Sequence, residues 1–151
     1  RIEEIAISNF RGIKNQTIVF DGKSTVFFGV NGTGKSTILR AINVMFSRIV
    51  QKIVQSRYKQ TINMTKEDIR FGESKTSVEV EISLANTNKK IKYKRSLEKK
   101  MNRLSYSQDS LNEIAELFHA SNQAYQSTLN LAEQQKKVAT AYITQLMKGA
   151  K

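Results

Sequence analysis

No cysteine occurs among the 151 residues, which excludes a disulfide framework and any thiolate metal site. Proline is also absent, so there is no proline-rich linker, and no internal repeat or low-complexity tract replaces one. No apolar run approaches the roughly 18–20 residues of a membrane span. These absences fit a cytoplasmic protein without a membrane partner. The chain opens at Arg1 without methionine or a signal-peptide pattern, giving the expectation that a start residue or short leader has been removed. Acidic residues are scarce: 13 Asp and Glu face 25 Lys and Arg, for a net charge of +12.

That excess favours polyanionic partners such as nucleic acid, an anionic surface or an acidic protein. It is concentrated in one stretch. Lys89, Lys90, Lys92, Lys94, Arg95, Lys99, Lys100 and Arg103 stand against only Glu98. Two readings of this stretch stay open. Its lysines can protect a solvated hairpin at a sheet edge. Alternatively Lys89, Lys90, Lys92, Lys94 and Arg95 can form a sequence-blind, salt-sensitive surface for DNA phosphates.

Apolar residues make up 39% of the chain and charged residues 25%, the balance of a globular domain. Ile2 to Ile7 reads as a strand, Ser8 to Gly12 as a turn and Thr17 to Phe20 as a second strand. Asp21-Gly22 is a hairpin signal. The continuous apolar run Thr25-Val26-Phe27-Phe28 predicts a strand buried on both faces. Ile38, Ile42, Met45, Ile49 and Ile53 then recur at helical spacing, predicting an amphipathic helix of about twenty residues from near Lys35. Thr65-Lys66-Glu67-Asp68 resembles a capping box opening one helical turn. Val78, Val80, Ile82 and Leu84 alternate with Glu79, Glu81 and Ser83 as a half-exposed antiparallel strand. Asn86 to Asn88 turns the chain, and Ile91, Tyr93 and Arg95 mark a returning strand. Ser110 and Glu113 cap a short helix with Leu111, Ile114, Ala115 and Phe118 on one face. A later helical seam runs through Tyr125, Leu129, Ala132, Lys136, Ala139, Ile143 and Leu146, and packing against the domain is favoured over a coiled-coil arm. The fold class is α/β, with an antiparallel β subdomain and C-terminal helices. Residues 1–104 form the main lobe and 105–151 a helical segment, with the polar stretch from Ser105 to Ser110 as the boundary.

Gly29-Val30-Asn31-Gly32-Thr33-Gly34-Lys35-Ser36 matches G-x-x-x-x-G-K-[ST] in full and is followed by Thr37. A triphosphate is a dense anion, so such a loop must aim successive backbone N–H groups inward as a nest. Glycine is needed where the backbone meets phosphate or takes positive φ. The following helix adds unpaired N–H groups and about half a positive charge at its N-terminus. Lys35 supplies a full charge able to bridge the β- and γ-phosphates, and Ser36 offers a hydroxyl to Mg²⁺. A chance match in a chain of this length is roughly a one-percent event at ordinary residue frequencies. Hydrolysis needs more: an apolar strand ending in Asp or Asp-Glu, for the metal and the attacking water. No such strand is found.

Ile5-Ala6-Ile7-Ser8-Asn9-Phe10-Arg11-Gly12-Ile13-Lys14, followed by Gly-x-Asn-Gly-x-Gly-Lys-Ser-Thr, resembles the N-terminal lobe of ABC-type P-loop ATPases of the SMC/RecF/OLD group. The wording is nearest to OLD-like and PtuA-like ATPases of anti-phage and retron systems, with RecF-type repair ATPases behind them. The likeness is strong over about Ile2–Phe46 and absent beyond Phe118. It implies ATP and Mg²⁺ as ligands, with Asn31, Gly32, Thr33, Gly34, Lys35, Ser36 and Thr37 as nucleotide contacts and Arg11 beside them. It also implies head-to-head self-association around ATP, with DNA or a nuclease effector as a further partner. The group's signature stretch, Walker B acids and switch histidine lie in a C-terminal lobe. Their absence here gives the expectation that these residues belong to a longer chain. Gln108 is a weak candidate for the group's Q-loop glutamine. His119 sits on an apolar helical face and reads as a packed residue.

Overall fold

The computed structural model describes residues 1–30, 32, 34–54, 61–84 and 88–149. Strand β1 (Ile2–Phe10) turns at Arg11-Gly12 into β2 (Ile13–Val19). With β3 (Lys75–Ser83), β4 (Lys90–Glu98) and β5 (Arg103–Tyr106) they form one five-stranded sheet of order β2-β1-β3-β4-β5. Every neighbouring pair is antiparallel. The strict alternation read in β3 is realised: Thr76, Val78, Val80 and Ile82 are buried, while Glu79 and Glu81 stand on the other face.

Helix α1 (Lys35–Val54) has 20 residues, as its periodicity predicts. Ile38, Ala41, Val44, Met45 and Ile49 are buried in one cluster with Ile5, Ile7, Phe10, Val78, Val80 and Tyr93 of the sheet. Each large side chain among them contributes about 1.5–3 kcal/mol on leaving water, which is what seats α1 on the strands. Lys66–Asp68 form the expected single turn, of 3₁₀ type. The Thr65 amide donates to Asp68 Oδ2 at 3.0 Å and the Asp68 amide to the Thr65 carbonyl at 2.9 Å.

Several expectations are corrected. Ser8, Asn9 and Phe10 extend β1 rather than forming a turn, because Phe10 is fully buried and pairs with both Ile13 and Ile69. Asp21-Gly22 turns, with Gly22 at φ +82, but no strand returns from it. The run Thr25–Phe28 is not a strand, and Val26 and Phe28 are exposed while Phe27 is half-buried. A strand covered on both faces needs ladder partners on either side, and among the described residues the sheet ends at β2 on that edge. The unpredicted strand β5 covers β4, so the lysine-rich strand is interior to the sheet. β5 is only four residues long with all of them exposed, so it carries no burial alternation to read. The turn at Asn86 and Thr87 lies outside the described residues.

Helix α2 (Gln108–Gly149) is continuous over 42 residues, where a short helix and a separate helical segment were expected. The chain divides into compact units at Arg1–Leu117 and Phe118–Lys151, so the first unit extends past residue 104. The reason is packing: Leu111 and Ile114 are buried in the core cluster. In the second unit Leu129, Ile143 and Leu146 are exposed. The Tyr125 side chain lies outside the described residues. No helix is long and apolar enough to cross a membrane among the described residues.

Candidate functional site

The glycine-rich loop delivers the chain to α1 with Gly32 at φ +90 and Gly34 at φ +94. L side chains rarely adopt this left-handed region, and the space beside both glycines is open, with no atom within 4 Å of where a Cβ would stand. The first helical bond runs from the Ile38 amide to the Gly34 carbonyl at 2.9 Å. The amides of the first helical turn therefore have no acceptor within the helix, and they sit at its positive end.

A cleft of about 410 Å³ lies here, lined by Gly12, Ile13, Gly32, Gly34, Lys35, Ser36 and Thr37. Its donor set suits an anion: backbone at four positions, one ammonium group and two hydroxyls, with no carboxylate in the lining. The Lys35 ammonium turns back over the loop, donating to the Gly29 carbonyl and, at 3.4 Å, to that of Val30. Ser36 is exposed at the start of the helix. Among the described residues no group of three His, Cys, Asp or Glu side chains is placed to hold a metal ion. Asn31 and Thr33 lie outside the described residues.

Gly12 and Ile13, from the β1–β2 turn, form the opposite wall. Gly12 and Ile13 were legible only as part of the stretch from Ile5 to Lys14. Arg11 is absent from the lining. Its Nε donates to Asp68 Oδ1 at 2.8 Å, and its backbone amide donates to the Asp68 carbonyl, also at 2.8 Å. From α1, Arg40 Nη2 donates to Asp68 Oδ2 at 2.9 Å. The Asp68 side chain is wholly buried. Burial alone would raise its pKa, but bonds from Arg40, the Thr65 amide and Arg11 outweigh it and hold the carboxyl below its usual range. The sequence showed Asp68 only as a capping residue, because a partner 57 positions away leaves no local pattern.

The basic stretch separates into two faces. Lys90, Lys92 and Lys94 are exposed on one side of β4, while Ile91, Tyr93 and Arg95 are buried on the other. Lys90 pairs with Glu81 at 3.3 Å, Lys92 lies 4.0 Å from Glu79, and Lys89 pairs with Glu113. Arg95 leaves the candidate DNA surface. It is only 3% exposed, and its guanidinium donates to the carbonyls of Val44 (2.5 Å) and Ile62 (3.1 Å) and to Asn63 Oδ1 (2.7 Å). Beside it, burial pushes the Tyr93 hydroxyl up to about 12. Gln108 is exposed and bonded to Asn112 within its own helix, away from the cleft lining. His119 is half-buried, its ring edge-on to Phe118 at 6.2 Å.

The sequence family described as AAA domain matches residues 4–146. The chain is 30% identical over 92 residues to the DNA replication and repair protein RecF of Thermoanaerobacter sp. (strain X514), a match covering 61% of this chain and 23% of that protein. It therefore spans about a quarter of the length of the curated relatives it matches. A structure from work on ATP-driven dimerization and DNA-stimulated activation of SMC ATPases superposes with a TM-score of 0.54 at 20% identity, covering 79% of this chain and 78% of the other. A RecF–ATP structure superposes at 0.53 and 22% identity, covering 70% of this chain and 26% of that one. These likenesses establish the fold: a P-loop ATPase head of the SMC and RecF type.

Proposed function

Because this chain belongs to the AAA-domain family and has the P-loop ATPase fold of SMC and RecF heads, we propose that it binds and hydrolyses Mg-ATP. The observation that carries this reading is the cleft of glycine backbone, ammonium and hydroxyls at the N-terminus of α1, with no carboxylate in its lining. Gly32 and Gly34 open the backbone to the phosphates, and Lys35 neutralises them. Ser36 and Thr37 supply hydroxyls; that of Ser36 would hold Mg²⁺, which would add further charge neutralisation. Hydrolysis is in-line attack of water on the γ-phosphorus, which breaks the bond to the β–γ bridging oxygen and releases ADP, phosphate and the water's proton, with Lys35 stabilising the charge that develops. The carboxylate that positions that water comes from outside these residues. Calorimetric titration of the protein with ATP tests the reading. Magnesium-dependent uptake with one site per chain is expected, and its absence from well-folded protein would overturn it.

ATP here acts as the link between two heads, and the assembled dimer controls a DNA-acting partner. Support comes from the fold shared with a structure described by ATP-driven dimerization and DNA-stimulated activation, and from an open cleft whose lining lacks a catalytic acid. The opening strand and the P-loop wording favour control of a nuclease effector in anti-phage defence. A second reading, a DNA-repair ATPase, is favoured by the 30% identity to RecF. Loading at single-strand gaps would select repair, and activation by phage infection would select defence.

Lys89, Lys90, Lys92 and Lys94 are the proposed DNA contacts. Their four exposed side chains outnumber the three glutamates they pair with, Glu79, Glu81 and Glu113. Replacing all four with glutamate is expected to weaken DNA binding and flatten its dependence on salt, by about 0.9 in the log–log slope for each phosphate that is no longer neutralised. An unchanged slope would remove this face from the interface.

A further inference from the structure

The Asp68 carboxylate bonds to both elements that carry the walls of the cleft. One wall is the start of α1, and Arg40, one turn beyond Ser36, reaches Asp68 with Nη2 at 2.9 Å and Nε at 3.3 Å. The other wall is Gly12 and Ile13, and Arg11 leads into it. There Arg11 is held to Asp68 through both side chain and backbone, each at 2.8 Å. The same short segment grips the turn twice more. The Arg70 amide donates to the Asn9 carbonyl at 2.9 Å, and Arg70 Nη1 donates to the Gly12 carbonyl at 2.6 Å.

Two features set this arrangement apart from ordinary surface pairing. Asn9 and Arg11 both have φ +50, a region that costs a residue with a side chain of order 1 kcal/mol or more. Such a turn persists only where its surroundings over-determine it, and here the bonds that do so come from Asp68 and Arg70. The carboxylate is also wholly buried, and burying a charge is a poor route to stability compared with apolar packing. Its two arginine partners neutralise it, and they come from different elements, one from the turn and one from α1.

We propose that Asp68 is a positioning residue of the nucleotide site, holding the Arg11-Gly12 turn at a set spacing from the first turn of α1, with Arg70 fastening the Gly12 carbonyl. This rests on the nucleotide reading above, and it assigns the cleft a device outside the P-loop.

The sign of one substitution tests it. Asp68→Asn removes a negative charge, so charge alone would tighten Mg-ATP binding. Loss of positioning weakens it, and an increase in Kd of about tenfold is expected, the scale of one missing charge-assisted bond. A double-mutant cycle with Arg11→Gln supplies a readout that a purely structural role would not move. The double variant should bind no more weakly than the weaker single variant, whereas independent effects would multiply. Arg70→Gln leaves every Asp68 ion pair in place and should raise Kd several-fold with an unchanged melting temperature. It decides the matter should Asp68→Asn fail to fold. Tighter or unchanged binding in folded Asp68→Asn, multiplying effects in the cycle, or an indifferent Arg70→Gln would each overturn the proposal. Titration of the unmodified protein runs alongside. Absence of uptake there sinks the nucleotide reading itself, whereas normal uptake with indifferent variants sinks only the positioning role.

Discussion

Replacing Lys35 with alanine is expected to lower affinity for Mg-ATP by about 100-fold and to abolish ATP-dependent association, while the folded protein melts near its usual temperature. Among the described residues the ammonium is the only full positive charge in the cleft lining. In a site built otherwise from backbone dipoles and hydroxyls, one charge-to-phosphate bond is worth about 1.5–3 kcal/mol, and every 1.4 kcal/mol is tenfold in Kd. The fold should survive because, among the described residues, the side chain bonds only to the carbonyls of its own loop, Gly29 and Val30. Buried packing on α1 begins at Ile38. Calorimetry and sizing with and without ATP check both halves. Binding and assembly at unmodified strength in the variant would show that phosphate is held elsewhere.

The second large effect is on stability. Arg95→Ala is expected to cost roughly 3–5 kcal/mol, out of a total that for a domain of this size is about 5–15 kcal/mol. Its guanidinium joins β4 to α1 through the Val44 carbonyl and to the chain after α1 through Ile62 and Asn63. Removing it takes a donor from Asn63 Oδ1, leaves the Val44 and Ile62 carbonyls to the Ser47 hydroxyl, and opens a cavity beside Tyr93, the larger part of the cost. Lys94→Ala, one position away on the exposed face, should change stability by less than about 0.5 kcal/mol. Urea unfolding of the two variants measures the contrast. Equal, small shifts would mean that the Arg95 bonds add little to the fold.

That contrast marks how far the linear chain could be read. The alternation over Ile91, Tyr93 and Arg95 placed all three on one face of a strand. Which face met the core was readable from Ile91 and Tyr93, yet the charge on Arg95 drew it toward the basic group. A buried arginine depends on acceptors supplied by α1 and the segment after it, and no spacing in the sequence announces them. Asp68 is the same case. Thr65 and the two residues after it explain one of its bonds, but the arginines that hold its carboxylate come from the turn at Arg11 and from α1.

The chain alone determined the phosphate loop, because glycine spacing, a lysine and a helix start are local requirements of backbone geometry and charge. It determined α1 and β3 for the same reason: periods of 3.6 and 2 are written in neighbouring residues. Tertiary structure decided everything that depends on a partner distant in sequence. It brought Gly12 and Ile13 across from Lys35, made Arg11 a ligand of Asp68, covered β4 with the four residues of β5, and left Thr25–Phe28 without the neighbours a buried strand requires. A strand, an ion pair or a cleft wall exists only when its second half arrives, and the arrival is a property of the fold.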